Sequence, residues 1–155
     1  MKNNIKSYLN KLQAYRTAIQ NLHWSSKNMS EHKLLDELND IVGEHEDKVA
    51  EVAQGIFGQI KINELRPRRY NITDSRKMLQ DLYNDTMKFH ATTKSKQMIG
   101  LRSEVESFIT TLNQYDYLLD FCLKEDLKRR LKYKINENRL RTLVHESVIK
   151  VLNNI

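Results

Sequence analysis

Leu101, Val105, Phe108, Leu112, Tyr115, Leu119 and Cys122 follow one another at steps of four and three. That is the period of a helix with one buried face, and a strand cannot satisfy it. The same spacing recurs upstream. Ile5, Leu9, Leu12, Ile19 and Leu22 predict a first helix from about Asn3 to Ser25. Leu35, Leu38, Val42, Val49, Val52 and Ile56 predict a second, with Ser30 as N-cap and Gly55 and Gly58 at its end. Leu79, Leu82, Met87 and Phe89 predict a third, starting at Thr73 or Asn71. Between the second and third, residues 59–72 carry Arg66-Pro67-Arg68-Arg69 and are long enough for a crossover. Four amphipathic helices without a strand between them predict an all-α protein, an antiparallel four-helix bundle over residues 1–123.

One Pro and four Gly in 155 residues fit that reading, and 30% charged residues supply the wet faces. Residues 124–155 differ from the body. They hold nine Lys/Arg against four Asp/Glu, net +5 of the chain's +6. They predict a basic C-terminal helical extension, whose apolar phase changes around Ile135-Asn136-Glu137-Asn138 before a stripe of Leu140, Val144, Val148, Val151 and Ile155. No apolar run approaches a membrane span, so no membrane partner is expected. The N-terminus lacks a signal peptide's apolar core, and the lone Cys122 can form no internal disulfide. A cytoplasmic location is expected.

His23 ends the first helix and His32 opens the second. On the second helix, His32 and Asp36 are four apart, as are Asp47 and Glu51. Each pair therefore shares a helical face one turn apart. Imidazole nitrogens with carboxylate oxygens suit Fe(II), Mn(II) or Zn(II). At 100° per residue, His32, Asp36, Asp47 and Glu51 occupy an arc of roughly 100°. The apolar stripe is centred about 140° away, so the polar arc faces out of the helix's own core. From end to end the four span about 28 Å, too far for one metal. Two antiparallel copies related by a twofold axis would bring His23 and His32 of one subunit to Asp47 and Glu51 of the next, giving two sites per dimer. Spacing alone also admits a solvated acidic face, since residues 31–51 hold eight carboxylates.

The sequence at these positions resembles a Dps mini-ferritin. His23-Trp24 at a helix end, His32 with Asp36 four residues on, and Asp47-Lys48-Val49-Ala50-Glu51 at 15 and 19 residues after His32 match that family's pattern. The match covers roughly residues 5–58. The stretch between the two histidines is three residues shorter than in the family, and Val52 stands where Arg often follows Ala-Glu. The resemblance implies a ferritin-like fold with His23, His32, Asp47 and Glu51 as ferroxidase ligands and Asp36 as an accessory ligand. Trp24 would lie beside the site, or be a core residue at the bundle end. His45 is expected at the edge of the core stripe and not as a ligand. The activity implied is a ferroxidase that binds Fe(II), oxidises it with hydrogen peroxide, stores Fe(III) and protects DNA. The assembly implied is a homo-oligomer, a dodecamer built from twofold dimers with two iron (Fe2+/Fe3+) sites per interface.

Lys124, Lys128, Arg129, Arg130, Lys132 and Lys134 are candidate non-specific DNA contacts. The competing expectation is that this extension packs on a neighbouring subunit through Leu127, Leu131 and the Leu140/Val144/Val148 stripe. A DNA-binding or structural helical assembly without iron oxidation is the alternative function.

Overall fold

The computed structural model describes residues 1–60, 65, 67, 70 and 72–152, apart from the side chains of 143, 144 and 146–152. The protein is all-α, and no strand occurs among the described residues. Its helices are α1 (Lys2–Ser25), α2 (Met29–Phe57), α3 (Ser75–His90) and α4 (Ile99–Leu152), with a 3₁₀ turn at Lys96–Met98. The chain divides into two compact units, Met1–Asp120 and Phe121–Ile155.

In the first unit the four helices pack on one another through the faces their periodicity marks. Ile5, Leu9, Leu12 and Ile19 of α1 are buried, as are Leu35, Leu38, Val42 and Val49 of α2. Leu79 and Leu82 of α3 join Leu101, Val105, Leu112 and Leu119 of α4 in the same core. Each such side chain taken out of water stabilises the fold by about 1.5–3 kcal/mol. Along α1 and α2 the cross-contacts run in opposite senses: Gln13 meets Glu46, Gln20 meets Asn39, and His23 meets His32.

Several boundaries differ from the sequence expectation. The N-cap of α2 is Asn28, not Ser30: the Asn28 side chain accepts from the N–H groups of Ser30 (2.9 Å) and Glu31 (3.3 Å). Asn is as good a cap as Ser, and here it satisfies two otherwise orphaned donors. Glu31 then sits in the first turn and accepts from Ser26 (2.7 Å) and Ser75 (2.6 Å), tying the end of α1 to the start of α3. That third helix is capped by Asp74, which accepts from Lys77 N–H (2.9 Å), rather than by Thr73; the alternative start, Asn71, lies outside the described residues. Met87 is exposed, and Met78 and Thr86 face inward in its stead. Thr86 can do so because its hydroxyl donates to the Leu82 carbonyl (2.8 Å). Most of the expected crossover, including Arg66, Arg68 and Arg69, lies outside the described residues.

The second unit is helical, and α4 passes without interruption through Ile135–Asn138. A change of apolar phase does not break a helix that contains neither Gly nor Pro there. The two Asn residues cost at most about 0.7 kcal/mol each in propensity, and Glu137 pairs with Arg141 one turn on (2.8 Å). The expected Val144/Val148/Val151 stripe falls on side chains outside the described set. Among the described residues no helix is long and apolar enough to cross a membrane.

Candidate metal centre

A link of three residues, Ser26 to Asn28, joins α1 to α2 and brings the end of one helix against the start of the other. His23 and His32 meet there as stacked rings, centroids 3.8 Å apart and 26° from parallel. Each ring is hydrogen-bonded to the other residue's main chain. Nδ1 of His23 lies 2.9 Å from the His32 carbonyl, and Nδ1 of His32 lies 2.8 Å from the His23 carbonyl. A carbonyl oxygen can only accept, so both Nδ1 atoms carry the proton and donate. In the neutral rings both Nε2 atoms then hold a free lone pair. A backbone carbonyl on the far nitrogen is the usual second partner of a metal-binding imidazole, fixing tautomer and ring orientation together. The His23 carbonyl belongs to the last turn of α1, where the C-cap Ser26 N–H reaches it only at 3.4 Å, so the His32 ring supplies the shorter bond at that helix end.

Asp36 is exposed, with its carboxylate 4.0 Å from Nδ1 of His23. Asp47 and Glu51 are exposed on the same outward side of α2, one turn apart, and lie roughly 22 and 28 Å along the helix from His32 by helical rise. The structure therefore gathers His23, His32 and Asp36 at one end and leaves Asp47 and Glu51 at the other. Among the described residues no cluster of three His, Cys, Asp or Glu forms within one chain. Trp24 is 71% exposed rather than in the core. It lines an open groove of about 470 Å³ between α1 and α2, with Arg16, Gln20, Asn39 and Glu46. In that groove Asn39 Nδ2 donates to Gln20 (3.0 Å) while its buried Oδ1 has no partner among the described residues. Gly43 leaves room for the Arg16 guanidinium, which a Cβ there would approach to 3.1 Å.

His45 is not at the edge of the core but inside it, 2% exposed. Its ring stacks on Phe108 (3.8 Å) and meets the edge of Tyr8. Nδ1 lies 3.3 Å from Glu104, and Nε2 lies 3.0 Å from the Tyr8 hydroxyl, which is also 3.0 Å from Thr86 Oγ1. The nearby carboxylate alone would favour a charged ring. Burial, aided by the Lys48 charge, outweighs it and lowers the imidazole pKa to about 3, because Glu104 is partly exposed and its charge is shared with water. His45 is thus a neutral ring donating to Glu104 and accepting from Tyr8. Its partners lie 37 and 59 residues away, so no local spacing signals them.

The six candidate cations of the second unit, Lys124, Lys128, Arg129, Arg130, Lys132 and Lys134, are all exposed on α4. Lys128 pairs with Glu125 (2.8 Å) and Arg130 with Asp126 (2.6 Å), both within the helix.

No curated protein and no solved structure matches the chain. The model of one family matches residues 23–119, a span that runs from the first histidine of the pair through α2 and α3 and stops short of the basic segment. With more than half of its length matched, the chain belongs to this family of unknown function (DUF5856).

Proposed function

We propose that the chain is a Dps-like ferroxidase, a ferritin-like antiparallel four-helix bundle with a basic C-terminal extension. It takes Fe(II) as substrate at sites completed between subunits. The observation that carries this reading is the reciprocally bonded His23/His32 pair. Two imidazoles with orientation fixed by carbonyls and Nε2 left over form half of a borderline-metal site. The other half is Asp47 and Glu51, whose exposure on α2 leaves them available to a second copy across a twofold axis. Asp36 would adjust the charge at the histidine end.

Carboxylate oxygens favour Fe(III) over Fe(II) and so ease electron loss, while few protein ligands leave positions for the oxidant. Two Fe(II) supply the two electrons that break the O–O bond of one hydrogen peroxide, which leaves with two protons as two waters. Removing both reagents together protects DNA from hydroxyl radical, and Fe(III) is stored as mineral.

Two measurements test this. Twelve chains of 18.4 kDa give a solution mass of about 221 kDa. Anomalous scattering from iron-soaked crystals should place metal between the His23/His32 end of one subunit and Asp47/Glu51 of its partner. Metal held wholly within one chain would rule the reading out. The second reading, a DNA-binding or structural assembly without oxidation, draws on the exposed cations of residues 124–134 and expects salt-sensitive DNA retardation with no peroxide-driven Fe(II) oxidation.

A further inference from the structure

The second unit carries an exposed surface that the iron reading does not use. Leu127, Leu131 and Ile135 stand 58, 52 and 66% exposed on α4. At steps of four they form one row along the helix. The residues just after Leu127 and Leu131, Lys128 and Lys132, lie roughly 100° to one side, continuing the row begun by Lys124. Those just before Leu131 and Ile135, Arg130 and Lys134, lie roughly 100° to the other side. Asp126 shares that second edge, where it pairs with Arg130 (2.6 Å). The face opposite the apolar row carries Glu125, Arg129, Tyr133 and Glu137. The helix therefore presents an aliphatic row bordered by cations on both edges, with two carboxylates behind.

We propose that this face docks on an anionic lipid surface, lying in the plane of the membrane interface rather than crossing it. The charge pattern selects this occupant. A second copy packed row to row, parallel or antiparallel, would set cationic edge against cationic edge within a Debye length. The phosphates of a nucleic acid would reward the cations but leave three aliphatic side chains against a charged backbone. A bilayer surface satisfies both parts. Acyl chains take up the Leu127/Leu131/Ile135 row, and long Lys and Arg stems carry their charges out to acidic headgroups. The lack of a membrane-spanning helix among the described residues does not bear on a helix lying in the interface. The inference is independent of the α1/α2 site.

The test uses the full chain and co-sedimentation with phosphatidylcholine vesicles, with and without about one third phosphatidylserine. Binding is expected only to the acidic vesicles, falling about fivefold for each cation removed in Lys128→Gln/Lys132→Gln/Lys134→Gln. Leu127→Gln/Leu131→Gln/Ile135→Gln keeps every charge and is expected to weaken binding about tenfold or more per residue. Vesicle binding unchanged in that variant would overturn the proposal, since the row would then not insert. Retention of duplex DNA without vesicle binding would overturn it in favour of nucleic acid. Concentration-dependent self-association abolished by the same variant, without vesicle binding, would overturn it in favour of a second copy.

Discussion

His45 makes the stability of this protein depend on pH in a way that one substitution isolates. The unfolded imidazole titrates near 6.5, and in the fold burial lowers that value to about 3. Above pH 6.5 both states are neutral at this position and the residue adds no pH dependence. Below it the unfolded chain takes up a proton that the folded chain refuses. The unfolded state then binds more protons, and stability falls as pH drops from 6.5 toward 3. At pH 5 the unfolded ring is almost fully charged while the folded ring is still neutral. The loss relative to about pH 7.5 is about 2 kcal/mol, or some 4–8 °C in Tm for a chain of this size. His45→Gln can still donate toward Glu104 and accept from Tyr8 but does not titrate. Its own cost, from lost stacking on Phe108, is the same at both pH values. Urea unfolding at about pH 7.5 and pH 5 should show the wild-type advantage over this variant shrinking by about 2 kcal/mol. Parallel pH dependence in the two proteins would refute the neutral, buried assignment, and a wild-type advantage that instead grew toward pH 5 would mark a charged His45 paired with Glu104.

Three further outcomes follow from the same geometry. His32→Ala with Asp47→Ala should nearly abolish rapid peroxide-driven Fe(II) oxidation while circular dichroism stays helical; unchanged oxidation would remove both residues from the site. Gly55→Ala should stabilise by about 0.8–1 kcal/mol through helix propensity, because a Cβ there meets nothing within 4 Å. Gly58→Ala should instead cost about 1–3 kcal/mol, since Gly58 ends α2 at φ +74 and ψ 177; chemical denaturation of the two variants must show opposite signs. Deleting residues 124–155 should leave Fe(II) oxidation intact, because every proposed ligand precedes residue 52, and a stopped-flow trace lost on truncation would contradict the assignment.

The helices were legible because steps of three and four need only apolar side chains in order, and α1, α2 and α4 supply them. The misplaced details have local causes. Ser30 and Asn28 are both cap-type residues two positions apart, and backbone angles, not composition, select Asn28. Met87 and Thr86 are adjacent, so roughly 100° of rotation separates a core place from a solvent place. Polarity alone assigns the wrong one, because the Thr86 hydroxyl finds an intrahelical carbonyl. At the candidate site the two histidines were legible as residues, but their exchange of carbonyl bonds was not, since it depends on main-chain positions across a turn. The Tyr8–His45–Glu104 chain joins α1, α2 and α4, and such long-range polar contacts leave no periodic trace in one sequence.

The exchange of carbonyl bonds between His23 and His32 has a consequence for how this chain can vary. The two bonds that hold the rings run to main-chain carbonyls, so an exposed position of the link such as Lys27 is free to change identity. Chain length at the link is not free. One inserted residue would add up to about 3.3–3.6 Å of chain to this non-helical link, more than bonds of 2.8 and 2.9 Å can absorb. The pair is written in the sequence as a nine-residue interval, tolerant of substitution at its exposed positions and intolerant of insertion or deletion.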